Sequence, residues 1–260
     1  MSAAYFTAGM DMDWTLVTTG LLVAALIAVT GIGGGSLMTP ALILGCGLAP
    51  TTAVGTDLLY ATFTKSGALL GYARDGRVDW ATVGWLLAGG VPGVAAAHLF
   101  LSSFHDAALQ DRLVGTAVAC VLALSALGML LPRRRDHVAR PPAAIRRWLI
   151  AGGAAVAVLV TLSSIGAGTL TGALLTRLYP ERPLAEIVGT ELAMAVPLAA
   201  LAAGAHFLSG QVDWRAAVDL SIGSLPGIWL GRQLMHRLPD RWLRLATAAL
   251  LAGASITLIA

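Results

Sequence analysis

The sequence has little charge and contains a single lysine, Lys65. Only 12% of its 260 residues are charged and 57% are hydrophobic, whereas a soluble domain is usually about 25% charged and about 45–50% apolar. Apolar runs of about 20 residues recur along the chain, and each is long enough to cross a hydrocarbon core about 30 Å thick. The composition therefore excludes an ordinary soluble domain and predicts an all-α polytopic membrane protein.

Several motifs are also missing from the sequence. It has no Walker-type nucleotide-binding sequence, no His-Glu-x-x-His metal motif and no Gly-x-Ser-Gly nucleophile. Pumping driven by ATP is therefore not expected of this chain, and an intramembrane enzyme is disfavoured. We expect neither a cofactor nor a metal. No basic residue precedes Lys65, so the first apolar segment lacks the basic start of a cleaved signal peptide.

Breaks of glycine, proline and charge divide the chain into ten apolar segments. The second and the seventh are short, and each follows a glycine cluster, so they are predicted as half-helices that either span or re-enter the membrane. A basic cytoplasmic linker at 132–145 separates a first repeat, 1–131, from a second repeat, 146–260. The ten segments are 14–30, 36–48, 51–73, 79–100, 108–131, 146–164, 168–179, 184–207, 213–235 and 241–259.

The two halves of the chain repeat one another. Three motifs recur in the same order at the same offset, which isolated glycine and proline matches would not produce. The two glycine clusters, 31–35 and 165–168, also match, at a slightly smaller difference in residue number than the three motifs. The matching stretches are 54–58 with 188–192, 76–80 with 210–214, and 92–93 with 226–227.

The arginines predict the orientation in the membrane. If each half crosses the membrane an odd number of times and the N-terminus lies outside, only Arg112 and Arg215 fall outside. The other arginines then lie in cytoplasmic loops, as the positive-inside rule requires. An odd number of crossings makes the two repeats inverted, a frequent architecture of secondary transporters. Both termini are predicted outside the cytoplasmic membrane.

The motifs resemble those of the TauE/SafE family of sulfite exporters. The resemblance rests on the glycine cluster at 31–35, on Pro40, on 53–56, 76–80 and 92–93, and on the second-half copies. It implies a membrane transporter that moves sulfite, sulfoacetate or another sulfur-containing or organic anion. In the family, the position of Asp57 is often a small polar residue, so this chain departs from the pattern there.

The two glycine clusters are candidates for the anion site. The N-terminus of a short helix inside the membrane offers N–H groups and a partial positive charge that favour anions, and glycine allows close approach. Alternatively, the glycines only permit close helix packing. The candidate substrate-binding residues here are Gly33, Gly34, Gly35, Ser36, Gly166, Gly168 and Thr169.

Polar residues inside the apolar segments are further candidates. Lys65 could attract the anion or neutralise a carboxylate, or it could reach the cytoplasmic face by snorkelling. Asp57 and Glu191 occupy equivalent positions and could carry protons, or could hydrogen-bond neighbouring helix ends. His206 is a weaker candidate for proton coupling. The hydroxyls of Thr56 and Thr190 could bind the anion, or could bond their own helix.

Together these observations predict a secondary transporter for a small anion. Proton coupling and passive flow through an anion channel are both left open. The expected partners are the anion and the lipid bilayer. The basic residues lie between apolar segments, so nucleic acid is not expected, and whether copies of the chain associate is left open.

Overall fold

The computed structural model describes residues 12–30, 35–130, 141–235 and 240–259. These residues form ten α-helices, one in each predicted segment. The predicted linker lies outside the described residues as far as residue 140. The helices are α1 Trp14–Thr30, α2 Gly35–Leu44, α3 Pro50–Arg74, α4 Trp80–Ser102, α5 Ala107–Leu130, α6 Pro142–Ser163, α7 Thr169–Leu178, α8 Leu184–Leu208, α9 Trp214–Met235 and α10 Asp240–Ile259.

Helices α2 and α7 are too short to cross a bilayer alone. Each has 10 residues and rises about 15 Å, which is half of a hydrocarbon core about 30 Å thick. Helix α2 ends at Leu44, before the predicted limit at residue 48, because a turn follows it. Gly47 in that turn has a φ of +68°, a backbone conformation that favours glycine.

Among the described residues, four helices are both long and apolar enough to span a membrane, namely α4, α5, α6 and α8. Helix α3 is as long as α8, with 25 residues, but it is much less apolar because Asp57 and Lys65 lie within it. Charge inside a long helix of a membrane protein is costly and usually faces a partner or a cavity. The charged residues of α3 are therefore candidates for a functional site.

Glycines allow two pairs of helices to pack with their backbones in close contact. Helix α1 runs parallel to α9, and a Cβ atom added to Gly223 or Gly227 would overlap the carbonyl oxygen of Val17 or Leu21. Small residues at such positions let helices approach closely in lipid, where close packing and not the hydrophobic effect holds helices together. The same arrangement joins α4 to α6 at the equivalent positions of the other repeat, where Gly89 meets Ile150 and Gly93 meets Ala154.

Helices α3 and α8 cross antiparallel at the centre of the molecule. Gly55, near the start of α3, meets the backbone oxygen of Gln211, just after α8. Gly189, near the start of α8, likewise meets the backbone oxygen of Arg77, just after α3. Lys65 therefore lies near the midpoint of the crossing.

Tryptophans mark the starts of helices on the outer surface. Trp14, Trp80 and Trp214 are the first residues of α1, α4 and α9, and they are 68%, 61% and 48% exposed. An amphipathic indole ring at a helix end is typical of a membrane–water interface. Large exposed leucines, such as Leu99 and Leu225, complete an apolar surface suited to lipid.

Candidate functional site

Two threonines anchor the loops that follow α3 and α8. The backbone N–H of Asp79 donates to Thr190 Oγ1, and the backbone N–H of Asp213 donates to Thr56 Oγ1, both at 3.0 Å. Both threonines are buried. The sequence suggested these hydroxyls for the anion, and the structure places each of them against a loop backbone. The two contacts are equivalent, because the two threonines are counterparts in the repeat and so are the two aspartates.

The loop after α3 carries an ionic cluster. Asp79 caps α4 by accepting from the N–H groups of Ala81 and Thr82, and its Oδ2 lies 2.5 Å from a guanidinium nitrogen of Arg182. Arg182 also stacks 3.8 Å from the ring centre of Tyr179. Burial alone would raise the pKa of Asp79, but hydrogen bonds from Thr82 and Arg182 outweigh it and hold the pKa below its ordinary value.

Asp57 lies at a buried junction of three elements. Its Oδ2 accepts a hydrogen bond of 2.6 Å from Thr39 Oγ1 of α2, and the same hydroxyl lies 3.5 Å from the carbonyl oxygen of Ser163, the last residue of α6. The Ser164 hydroxyl and the Thr39 backbone N–H also lie near the Asp57 carboxyl group. The Ser164 hydroxyl is not in hydrogen-bonding geometry, however, and neither Asp57 Oδ1 nor Ser164 Oγ has a hydrogen-bond partner among the described residues.

Glu191 occupies the equivalent place in the second half with different surroundings. Its neighbour on α7 is Gly172, where an added Cβ would lie 3.1 Å from Glu191 Oε2. Gly172 corresponds to Thr39 when the two halves are aligned on their glycine clusters. One half therefore pairs a short acid with a threonine, whereas the other pairs a longer acid with a glycine.

Lys65 lies between these two acids. It interacts electrostatically with both, more strongly with Glu191 than with Asp57. It also lines a cavity of about 140 Å³ between α1, α3 and α9, together with Tyr60 and Thr64. The remaining lining residues are apolar: Ala24, Ile27, Ala61, Ala68 and Ile228.

All residues of the break between α6 and α7 belong to the part of the chain that the structure describes. Ser164 and Gly166 adopt positive φ angles of 57° and 106°, and Gly168 precedes α7 without a side-chain cap. Thr169 Oγ1 is buried and has no hydrogen-bond partner among the described residues. In the first half, Gly33 and Gly34 lie outside the described residues, while Gly35 and Ser36 begin α2.

His206 belongs to a different polar network. Its Nε2 lies 2.9 Å from the carbonyl oxygen of Thr161, near the end of α6, and its Nδ1 lies 3.0 Å from Gln211 Oε1. The amide of Gln211 donates in turn to Gln110 of α5. The histidine thus joins the end of α6 to the loop after α8, and no contact with Lys65, Asp57 or Glu191 is among its bonds.

The comparisons with known proteins agree with this architecture. The sequence profile of the sulfite exporter TauE/SafE family matches residues 16–258. The chain belongs to this family. No solved structure matches it.

Curated relatives of this family member carry transporter names. The "probable membrane transporter protein YjnA" of Bacillus subtilis (strain 168) is 32% identical over 259 residues, which cover 95% of this chain and all of the relative. The "probable membrane transporter protein YunE" of the same organism is 23% identical, over 84% of this chain and 85% of the relative. With its apolar helices, the chain is a multi-pass membrane transporter that works in a lipid bilayer on a small substrate.

The sequence did not single out several residues that surround these sites. Thr39, Ser164 and Gly172 escaped notice because their importance comes from packing between separate helices. The capping role of Asp79 could be recognised more easily. The Val-Asp-Trp motif occurs twice, and an aspartate just before a helix is a preferred N-cap, so its role as a cap could have been predicted.

Proposed function

We propose that the protein is a secondary transporter for a small sulfur-containing or organic anion, such as sulfite or sulfoacetate, in the bacterial cytoplasmic membrane. The observation that carries this proposal is the position of Lys65, on a cavity near the midpoint of the α3–α8 crossing. A cation at the centre of a membrane helix costs at least about 2.5 kcal/mol. Binding of an anion would offset that cost, and the family and its named transporters supply the expected activity.

The ends of α2 and α7 supply the rest of the proposed anion site. Both half-helices begin after a glycine-containing break, and a helix N-terminus favours anions through its N–H groups and dipole. Thr169 adds a buried hydroxyl without a partner among the described residues. We place the anion between the starts of these two helices and Lys65, beside Gly35, Ser36, Gly166 and Gly168. Gly33 and Gly34, which the sequence predicts for the same site, lie outside the described residues.

The two halves of the transporter are inverted repeats in this proposal. The equivalent contacts of α4 with α6 and of α9 with α1 support the duplication. The pairing of Asp79 with Arg182 brings the loops after α3 and α7 together, which an odd number of crossings per half requires. The arginines then place both loops in the cytoplasm and both termini outside.

Coupling to an ion gradient would run through the buried carboxyl groups. Glu191 is partly buried and interacts with Lys65 across the α3–α8 crossing, so a proton on this acid would change the charge beside the anion. This makes Glu191 our candidate for proton coupling. His206, which bonds elsewhere, is better suited to holding the end of α6.

Anion flux in proteoliposomes tests the role of Lys65. The ligands are first selected by thermal stabilisation of the purified protein with sulfite, sulfate, thiosulfate, sulfoacetate, taurine and several carboxylates, since a ligand at 100 times its dissociation constant adds about 2.7 kcal/mol. Lys65→Met should lower the flux of the selected anion about tenfold or more, equivalent to about 1.4 kcal/mol, and Lys65→Arg should retain part of it.

Arg112→Met is the matched control, because Arg112 is an exposed cation at the start of α5. Its flux should equal that of the unchanged protein. Normal flux in Lys65→Met would contradict the proposed site. Flux that never saturates with anion concentration would instead identify a passive channel.

A further inference from the structure

We propose that Asp57, Ser164 and Thr39 form a binding site for a sodium ion, where α3 and α2 meet the break after α6. The site would hold the cation whose gradient drives transport, and only this role rests on the proposed function. Binding of the ion is a separate property that can be measured without any flux.

The Asp57 carboxyl group accepts a hydrogen bond of 2.6 Å from Thr39 Oγ1 at its Oδ2 atom. Asp57 is completely buried, and a carboxylate that is ionised in such a place needs an opposite charge or a bound ion. A cation beside the Oδ1 atom would meet this need.

Lys65 is a distant source of that opposite charge. It stands on the same helix as Asp57, two helical turns away and about 12 Å along the axis, and interacts more strongly with Glu191. When both acids are ionised, they and the lysine leave a net charge of −1 around the α3–α8 crossing. One monovalent cation at Asp57 would balance it.

Oxygen atoms that lack partners surround the place where the cation would lie. Asp57 Oδ1 and Ser164 Oγ are both buried, and neither has a hydrogen-bond partner among the described residues. The end of α6 contributes the carbonyl oxygen of Ser163, which already faces Thr39. The C-terminus of a helix carries partial negative charge, and such ends of broken helices coordinate sodium in other transporters.

The second half of the chain shows that the fold does not require these oxygens. In the alignment of the two halves on their glycine clusters, the counterparts of Thr39 and Ser164 are Gly172 and Gly31. Neither has a hydroxyl group. The hydroxyl groups of Thr39 and Ser164 therefore have no counterparts at these two positions, which separates Asp57 from Glu191.

Thermal stability of the purified protein in detergent tests the site. Melting is followed at fixed pH and ionic strength while choline chloride is replaced by sodium chloride or by potassium chloride. We expect a saturable rise in Tm of about 3 °C or more with sodium, and no comparable rise with potassium. A rise of the same size in all salts, or none in sodium, would overturn the proposal.

Variants locate the ion. Asp57→Asn should abolish the sodium response, because it keeps the shape and removes the charge. Ser164→Gly should weaken apparent sodium affinity about tenfold or more, since it removes one ligand and glycine tolerates the φ of 57°. Ser125→Ala, which removes another buried hydroxyl without a partner among the described residues, should keep the response.

The outcomes separate this proposal from the proposed function. A sodium response that survives in Asp57→Asn would place the ion elsewhere and contradict the proposed site. If lowering the pH stabilises the protein through Asp57 while sodium does not, a proton is the occupant and sodium is wrong. Stabilisation by anions is measured separately in choline salts, so a sodium response without an anion response contradicts only the proposed substrate. Should Asp57→Asn not fold, Ser164→Gly and the salt series still decide the matter.

Discussion

At the scale of single residues, Asp79 ties two loops and two helices together. Its carboxylate caps α4 and accepts from Thr82 and Arg182, and its backbone N–H donates to Thr190 of α8. These donors favour the ionised form, which is why its pKa is lowered despite partial burial. A group of this kind stabilises the folded protein only while it stays ionised.

Asp79 therefore predicts a specific loss of stability in acid. Because its folded pKa lies below the ordinary 3.8, its contribution is fully present above that value and is lost as the pH falls through the lower folded pKa. Asp79→Asn should lower the Tm at pH 7, since it replaces a charged cap and breaks the pair with Arg182.

The measurement is the difference in Tm between the unchanged protein and Asp79→Asn from pH 7 to pH 3. The difference should shrink as the pH falls below about 4. A difference that stays constant over this range would show that the charge of Asp79 contributes nothing.

The sequence could reveal which individual residues are unusual but not what they contact. Asp57, Lys65 and Glu191 stand out because charge is rare in apolar segments. Their immediate neighbours could not be predicted, since Thr39 and Gly172 acquire a role only when α2 and α7 fold back against α3 and α8.

At the scale of helices, the sequence predicted all ten elements with small errors at their ends. The ends of the helices could be predicted because the loops of this chain contain glycine, proline or charged residues, whereas the helices contain few charged residues. The early end of α2 was missed because the Gly-Cys-Gly turn is as apolar as the helix before it. Which helices pair could not be predicted, because nearly every helix in lipid has an apolar surface.

Close packing of α4 with α6 predicts a sharp contrast between two glycines of the same helix. A Cβ at Gly89 would overlap the backbone of Ile150, whereas a Cβ at Gly84 would meet nothing within 4 Å. Gly89→Ala should therefore destabilise the protein by about 1–3 kcal/mol through overpacking. Gly84→Ala should be neutral or stabilise by up to about 1 kcal/mol.

Thermal unfolding in detergent compares the two variants, with Gly223→Ala as a second test in the equivalent contact of α9 with α1. Gly223→Ala should behave as Gly89→Ala does. Equal stability of Gly84→Ala and Gly89→Ala would mean that α4 and α6 can separate without cost.

At the scale of the whole molecule, the proposed inverted repeat predicts that equivalent loops lie on opposite sides of the membrane. Asp75 and Ser209 are exposed counterparts in the turns after α3 and α8. In a variant without Cys46 and Cys120, Ser209→Cys should react with a membrane-impermeant maleimide on intact cells. Asp75→Cys should react only after the membrane is opened, because the positive-inside rule predicts that its arginine-containing loop lies in the cytoplasm.

Labelling of both cysteines on intact cells, to the same extent, would put the two loops on one face and contradict inversion. Reversed labelling would keep the inversion and place the termini in the cytoplasm.

The different neighbours of the two acids also constrain how the halves could have diverged from one ancestral unit. Aspartate beside threonine fits, and glutamate beside glycine fits, whereas a Cβ added at Gly172 would lie 3.1 Å from Glu191 Oε2, so that a threonine there would require the glutamate side chain to move. A change from one pair to the other in single steps avoids this adjustment when it passes through aspartate beside glycine. The shape of the site therefore favours one order of the two mutations.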